Sequence, residues 1–200
     1  MGELEKRILD GAEELFLSLG LRSVSMDDLA SKLGVSKKTI YKHYKDKANL
    51  IRCVAQKHLN CDEEDFQRIE IECKDPIDQM RLIADHARRS MGRMHPSVMF
   101  DLKKFYTESW SLIQEYHQTS IIGRICNNLR EGVKLGFYSA DIKADILGKL
   151  MYHEFEFSFD TLFLDKSEYK PVEVYNELFH HFMMGILTEK GKKLYERYEK

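Results

Sequence analysis

The residues best equipped for chemistry lie close together in GVSKKTIYKHYKDKANLI, Gly34 to Ile51. Lys37, Lys38, Lys42, Lys45 and Lys47 stand there against a single acid, Asp46, with Tyr41 and Tyr44 among them. Ammonium groups and hydroxyls at this density suit a polyanion. Ser36, Lys37, Lys38 and Thr39 would sit at the start of a short helix, whose free N–H groups suit phosphate and whose N-terminal side chains can reach base edges in a major groove. Lys37 and Lys38 can donate to guanine O6 and N7 or rest on phosphates, and Thr39 offers a methyl and a hydroxyl to a thymine or a phosphate. Lys42 lies on the same exposed face. A helical hairpin with a solvated lysine face has the same spacing. A second pattern, Glu177-Leu178-Phe179-His180, has the E-x-x-H form of di-iron helical bundles, but those need two such motifs and two further glutamates. Neither G-x-S-x-G, H-E-x-x-H nor a phosphate-cradling glycine loop occurs. We therefore expect no catalytic residue, no metal and no cofactor.

Composition frames this segment. With 200 residues, 43% of them hydrophobic, only three prolines and many Leu, Glu, Lys, Met and Ile, the chain is expected to be all-α. Residues 1–60 carry 11 Lys and Arg against 8 Asp and Glu, a net +3, and residues 61–200 carry 20 against 25, a net −5. A basic head on an acidic body points to an anionic partner for the head alone. Cys53, Cys61, Cys73 and Cys126 form no C-x-x-C pair, which favours reduced thiols over a disulfide framework. The charged first 19 residues lack the apolar stretch of an export signal, and no apolar run nears the roughly 20 residues that span a bilayer. The expected compartment is the cytoplasm, with no membrane partner.

The elements that must position the basic segment are legible from period and punctuation. Leu4, Ile8, Ala12, Leu15, Phe16 and Leu19 share one face of a first helix, about Glu3 to Leu19, stopped by Gly20. Ser25 and Asp28 form a capping-box pattern for a second helix ending at Gly34. Ser36 caps a third, about Lys37 to His43, with Ile40 and Tyr44 inward, and Asp46 caps a long fourth. The tight turn L-G-V-S between the second and third is that of a helix-turn-helix, with Gly34 left-handed. Farther on, Pro76 opens a helix to about Met94. Pro96 to Leu135 reads as a long amphipathic stretch broken near Tyr106 to Glu108, and two very apolar helices follow, about Asp141 to Leu164 and Pro171 to Leu187.

Residues 7–51 resemble the tetracycline-repressor (TetR) family of bacterial transcription regulators. The likeness rests on a first helix ending F-x-x-x-G, Ser25 capping the next, L-A, then G-V-S, T-I-Y-x-H-Y and K-x-x-L. It implies a helix-turn-helix DNA-binding domain, 1–46, and a helical ligand-binding and dimerisation domain, 47–200, linked by the helix from Lys47. The partner implied is a double-stranded DNA operator, palindromic and bound by a homodimer, with a small molecule as effector of a repressor. Tyr41 and Lys47 become phosphate contacts, Ser25 a backbone contact at the second helix, and Met26, where small or β-branched residues are common, a position bearing on operator sequence. Dimerisation would use the helices at about 141–164 and 171–187. Met91, Phe100, Phe105, Trp110, His117, Tyr152 and Phe155 supply aromatic and soft side chains suited to an effector pocket, or to plain core. The alternative class is a helical small-molecule-binding protein or enzyme whose basic head binds something other than DNA.

Overall fold

A computed structural model describes residues 2–164 and 168–198. The described residues are helical, in the order α1 (Glu3–Leu19), α2 (Met26–Leu33), α3 (Lys37–Tyr41), α4 (Lys47–Glu72), α5 (Pro76–Arg93), α6 (Ser97–Phe105), α7 (Thr107–Tyr116), a π-helical turn (His117–Ile121), α8 (Ile122–Lys134), α9 (Ala144–Phe157), α10 (Thr161–Leu164), α11 (Pro171–Ile186) and α12 (Glu189–Tyr198). The chain divides into two compact units, 1–62 with 93–115, and 63–92 with 116–200.

In the first unit α1 buries Ile8, Ala12 and Phe16 of the face expected of it and Leu9 beside them, whereas Leu19, placed on that face by its spacing, is 51% exposed at the helix end. At Gly11 the helix is packed closely by α2: a Cβ there would lie 2.7 Å from Leu33 Cδ2. Ile40 and Tyr44 turn inward from the third helix and the turn behind it, and the buried Tyr44 hydroxyl donates to the Glu5 carbonyl at 3.1 Å. Burial pushes that phenol up to about 12, so it stays a neutral donor. Farther along α4, Lys57 bonds Asp10 and Glu13, and His58 lies between Glu13 and Asp62. The hydrogen bond from His58, then Lys57, holds the Glu13 carboxyl at about 2 despite burial. The segment 93–115 folds with this unit. His95 N–H donates to the Leu17 carbonyl at 2.6 Å, and the Arg22 N–H donates to the Asp101 carboxylate at 3.3 Å.

The second unit has its own core. Phe66, Ile69 and Ile83 pack with Leu82 and Ile121, and α8 packs on α9, which in turn meets α11. Glu63 accepts from Tyr116, Ser120, Gln67 and twice from Arg124. These donors, Arg124 foremost, hold its carboxyl at about 2. The break foreseen at 106–108 appears as α6 ending at Phe105. The single helix expected over 141–164 does not form: α9 starts at Ala144 and stops at Phe157. Buried Ser158 turns its hydroxyl back to the Glu154 carbonyl at 2.9 Å, and Asp160 accepts from the Phe163 N–H at 3.1 Å, so the chain ends one helix and caps another. The helix α12 lies beyond any expectation above, held by Tyr195 in the core and by Tyr198, whose hydroxyl donates to Asp75 at 2.6 Å.

Glu154 on α9 is the unit's misfit. Its carboxyl is pushed up to about 7 by burial, with no cation or donor set against it among the described residues. A group whose folded value lies above its unfolded one, near 4.3, binds more protons folded than unfolded in between, so stability falls as pH rises from about 4.5 through 7. Glu154→Gln is expected to remove that fall, leaving the variant about 1–3 kcal/mol better off relative to the parent at pH 8.5 than at pH 5, after allowance for partial exposure. Thermal unfolding at the two pH values checks this; an unchanged difference contradicts it.

Candidate nucleic-acid interface

The helix-turn-helix assembles from local bonds. Ser25 N–H and Oγ both donate to Asp28 Oδ2 at 2.7 Å, and Asp28 N–H returns to Ser25 Oγ at 3.1 Å, closing the expected capping box. Those same bonds, the side-chain one first, lower the Asp28 carboxyl. Gly34 ends α2 at φ 63° and ψ 34°, the left-handed conformation that disfavours a side chain. The Val35 N–H then donates to the Ala30 carbonyl at 3.1 Å. Ser36 caps α3 by accepting from the Thr39 N–H at 3.0 Å, and the two hydroxyls also meet at 2.8 Å. Lys42 caps the end of α3, so the helix stops at Tyr41 rather than near His43. Asp46 accepts from the Asn49 N–H at 2.8 Å and opens α4.

These bonds sort the expected site residues. Lys38, Tyr41 and Lys42 are exposed, and Tyr41 shows 43% of its surface. Lys37 is exposed but already bound, its ammonium 2.8 Å from Asp27 on α2, and this bond raises it above the ordinary lysine range. Ser25, Ser36 and Thr39 have their hydroxyls engaged in capping, so toward a partner they offer mainly the remaining lone pairs and neighbouring N–H groups. Lys47, the first residue of α4, is half-buried with its ammonium 5.9 Å from the Phe16 ring centre. Desolvation lowers it, opposed by the Asp101 carboxylate. Met26 requires a correction. Only 6% exposed, it is a core residue of the first unit, because it is the first residue of α2 and its side chain turns inward beneath the cap. Arg22 was missed. It is exposed, three residues before Ser25, and close enough for its charge to act on Lys47. The one signal for it was a cation in the loop just ahead of a helix cap.

The seven pocket candidates do not fall in one unit. Met91, His117, Tyr152 and Phe155 belong to the second. There the Tyr152 hydroxyl and His117 Nδ1 lie 3.1 Å apart, and Phe155 meets Phe159 and Tyr175 edge-on. Phe100, Phe105 and Trp110 belong to the first. Trp110 is buried there, but Phe100 and Phe105 stand 41% and 43% exposed, surface rings and not the lining of an interior. Helical spacing put them on an apolar stripe without saying which side of it was covered.

The comparisons with known proteins bear on this geometry. Residues 8–54, which span α1, α2, α3 and the first turns of α4, match the model of bacterial regulatory proteins of the tetR family. Residues 8–54 are a tetR-family domain. Two HTH-type transcriptional regulators show how far the likeness extends. One, from Staphylococcus aureus, is 32% identical over 84 residues, 42% of this chain and 45% of its own. The other, YvaF of Bacillus subtilis, is 22% identical over 143 residues, 70% of this chain and 74% of its own. The chain thus spans less than half the length of the first of these relatives. With solved structures the likeness over nearly the whole chain is one of fold. A transcriptional regulator from Saccharomonospora viridis, solved in complex with choline, superposes with a TM-score of 0.79 at 17% identity, over 94% of this chain and all of its own. FadR of Bacillus subtilis, solved with stearoyl-CoA, gives 0.69 at 18% over 90% and 98%. Among the described residues no helix is long and apolar enough to cross a membrane.

Proposed function

We propose that this protein is a DNA-binding transcriptional regulator, a ligand-responsive repressor that binds a palindromic operator as a homodimer. The observation that carries the reading is the coincidence of the tetR-family match with a capped helix-turn-helix whose exposed face holds Lys38, Tyr41 and Lys42. DNA binding is assigned to residues 1–46, and effector binding and dimerisation to 47–200, joined by the helix from Lys47. The Tyr41 hydroxyl and Lys47 ammonium contact phosphate, Ser25 marks the first turn of α2, whose N–H groups left uncapped contact the backbone, and Ser36, Lys37, Lys38, Thr39 and Lys42 face the groove. For Lys37 this means leaving Asp27 or carrying it along as a screened partner. Dimerisation by way of α9 and α11 is supported by the row Ile146, Leu150 and Phe157, spaced at four and seven residues and all exposed in the chain by itself. The effector site is assigned to the second unit around His117, Tyr152 and Phe155. A protein that works on operator DNA belongs in the cytoplasm.

Selection of bound sequences from random duplex DNA is the decisive experiment. An enriched palindrome with half-sites about one helical turn apart, or a multiple of it, is the expected result, and no enrichment contradicts the reading. Within an identified operator, Tyr41→Phe removes one hydroxyl–phosphate bond per protomer and is expected to weaken binding about 3- to 10-fold per contact. Its melting temperature should stay put, since the side chain is exposed.

A further inference from the structure

The two exposed phenylalanines of α6 hold cations. Arg22 Cζ lies 4.2 Å from the Phe105 ring centre, and Lys104 Nζ lies 5.4 Å from the same ring and 5.1 Å from that of Phe100. The rings themselves meet edge to face at 6.2 Å. Beside them Lys103 Nζ stands 4.8 Å from the Trp110 ring centre. All of these residues fall in the same compact unit as the helix-turn-helix.

How a cation is held decides what it can still bind. Other cations of this unit are tied to carboxylates: Lys32 to Glu14, Lys37 to Asp27, Lys57 to Asp10 and Glu13. A carboxylate partner cancels a lysine's charge, whereas an aromatic face orders the side chain and leaves the full charge for an outside anion. Arg22 and Lys104 are held in the second way. Arg22 offers only its backbone N–H to Asp101, and that carboxylate is buried. The arrangement also gives a reason for two large apolar rings to stand in water, since they are platforms. The pair lies beside the proposed DNA contacts: Arg22 stands three residues before the cap Ser25, its N–H donates to Asp101 on α6 at 3.3 Å, and its guanidinium lies over Phe105 at the end of α6.

Resting on the reading of the head as a DNA-binding domain, we propose that Arg22 and Lys104, stacked on Phe105 and Phe100, form a second phosphate-binding strip that extends the DNA interface from the helix-turn-helix onto the C-terminal turn of α6. Its partner is the sugar–phosphate backbone of the operator duplex beyond the bases that α3 faces. The strip carries no base reading, so it adds affinity and salt dependence without altering sequence preference. A different reason for Lys104 is that a cation suits the carbonyl end of any helix. That role would show as lost stability and leave DNA binding untouched.

The test uses the full-length protein, its selected operator duplex with long flanks, and the variants Arg22→Ala, Lys104→Ala and Lys104→Arg. Removing one phosphate contact from each protomer should lower the slope of log affinity against log salt by about 2 for the dimer. Binding should weaken several-fold at moderate salt, by the same factor on operator and on random duplex, with Lys104→Arg close to the parent. Unchanged slope and affinity in both alanine variants, with the parent binding DNA normally, overturns the strip and leaves the proposed function standing. A parent that binds no duplex at all overturns both. A drop in melting temperature for Lys104→Ala with binding intact assigns the residue to the helix end and overturns the strip as well.

Discussion

Raising salt from 50 to 200 mM is expected to weaken operator binding by about 10³- to 10⁵-fold, as for any protein that neutralises roughly 6 to 10 phosphates. Each protomer has cations for a half share of these, Lys38 and Lys42 exposed on or beside α3 and Lys47 at the start of α4, with Tyr41 and the N–H groups of the first turn of α2 that Ser25 leaves uncapped as neutral contacts. The contrast with the rest of the chain makes the expectation specific, because residues 61–200 are net acidic as a whole and the attraction falls to the basic head and the cations of α6. Titrating a labelled operator at four salt concentrations measures the slope directly. A flat response would mean that the lysines between 37 and 47 do not face phosphate, and the proposed function would go with it. Lys37 should contribute least, since its exchange of Asp27 for a phosphate releases little net charge.

Gly132→Ala is expected to destabilise the protein by about 3 kcal/mol or more, with a fall in melting temperature of about 6–12 °C. A Cβ at this position would lie 2.0 Å from Tyr138 Cδ2 and 2.1 Å from its Cε2. The ring has nowhere to go. Tyr138 is buried, its hydroxyl donates to the Pro76 carbonyl at 3.0 Å, and it lies 3.1 Å from Asn128 Oδ1, whose own amide also donates to Pro76. Moving the ring would leave buried polar groups unpaired, at a cost of about 1–3 kcal/mol each. Chemical denaturation of the variant beside the parent checks the figure. A loss under 1 kcal/mol would show that the α8 corner can open, contrary to this packing.

The head was legible in sequence because its signals act over three or four residues. Ser25 with Asp28, Gly34, Ser36 with Thr39 and Asp46 with Asn49 each settle a boundary by a bond within that range. The inward Tyr44 followed from period alone. What escaped was non-local. Nothing near His95 says that it will donate to Leu17, or that Arg22 will stack on Phe105, and so 93–115 read as body and its rings as pocket. Met26 escaped for a related reason: its place in a family pattern carries no information about which way its side chain turns. The end of α9 at Phe157 turned on Ser158 and Asp160, polar residues inside an apolar run, whose weight depends on whether they are buried.

The π-helical turn at His117–Ile121 has a consequence for how this chain can change length. Such a turn holds one residue more than an α turn, so the helix after it is rotated by about 100° against the helix before it. That rotation lets Tyr116, Ser120 and Arg124 converge on Glu63 while Ile125, Cys126 and Leu129 face the core. Deleting a single residue between 117 and 121 would leave an unbroken, regular helix able to satisfy one of these two faces and not both. The spare residue is a phase correction, and insertions or deletions tolerated in the neighbouring loops would be expected to avoid these five positions.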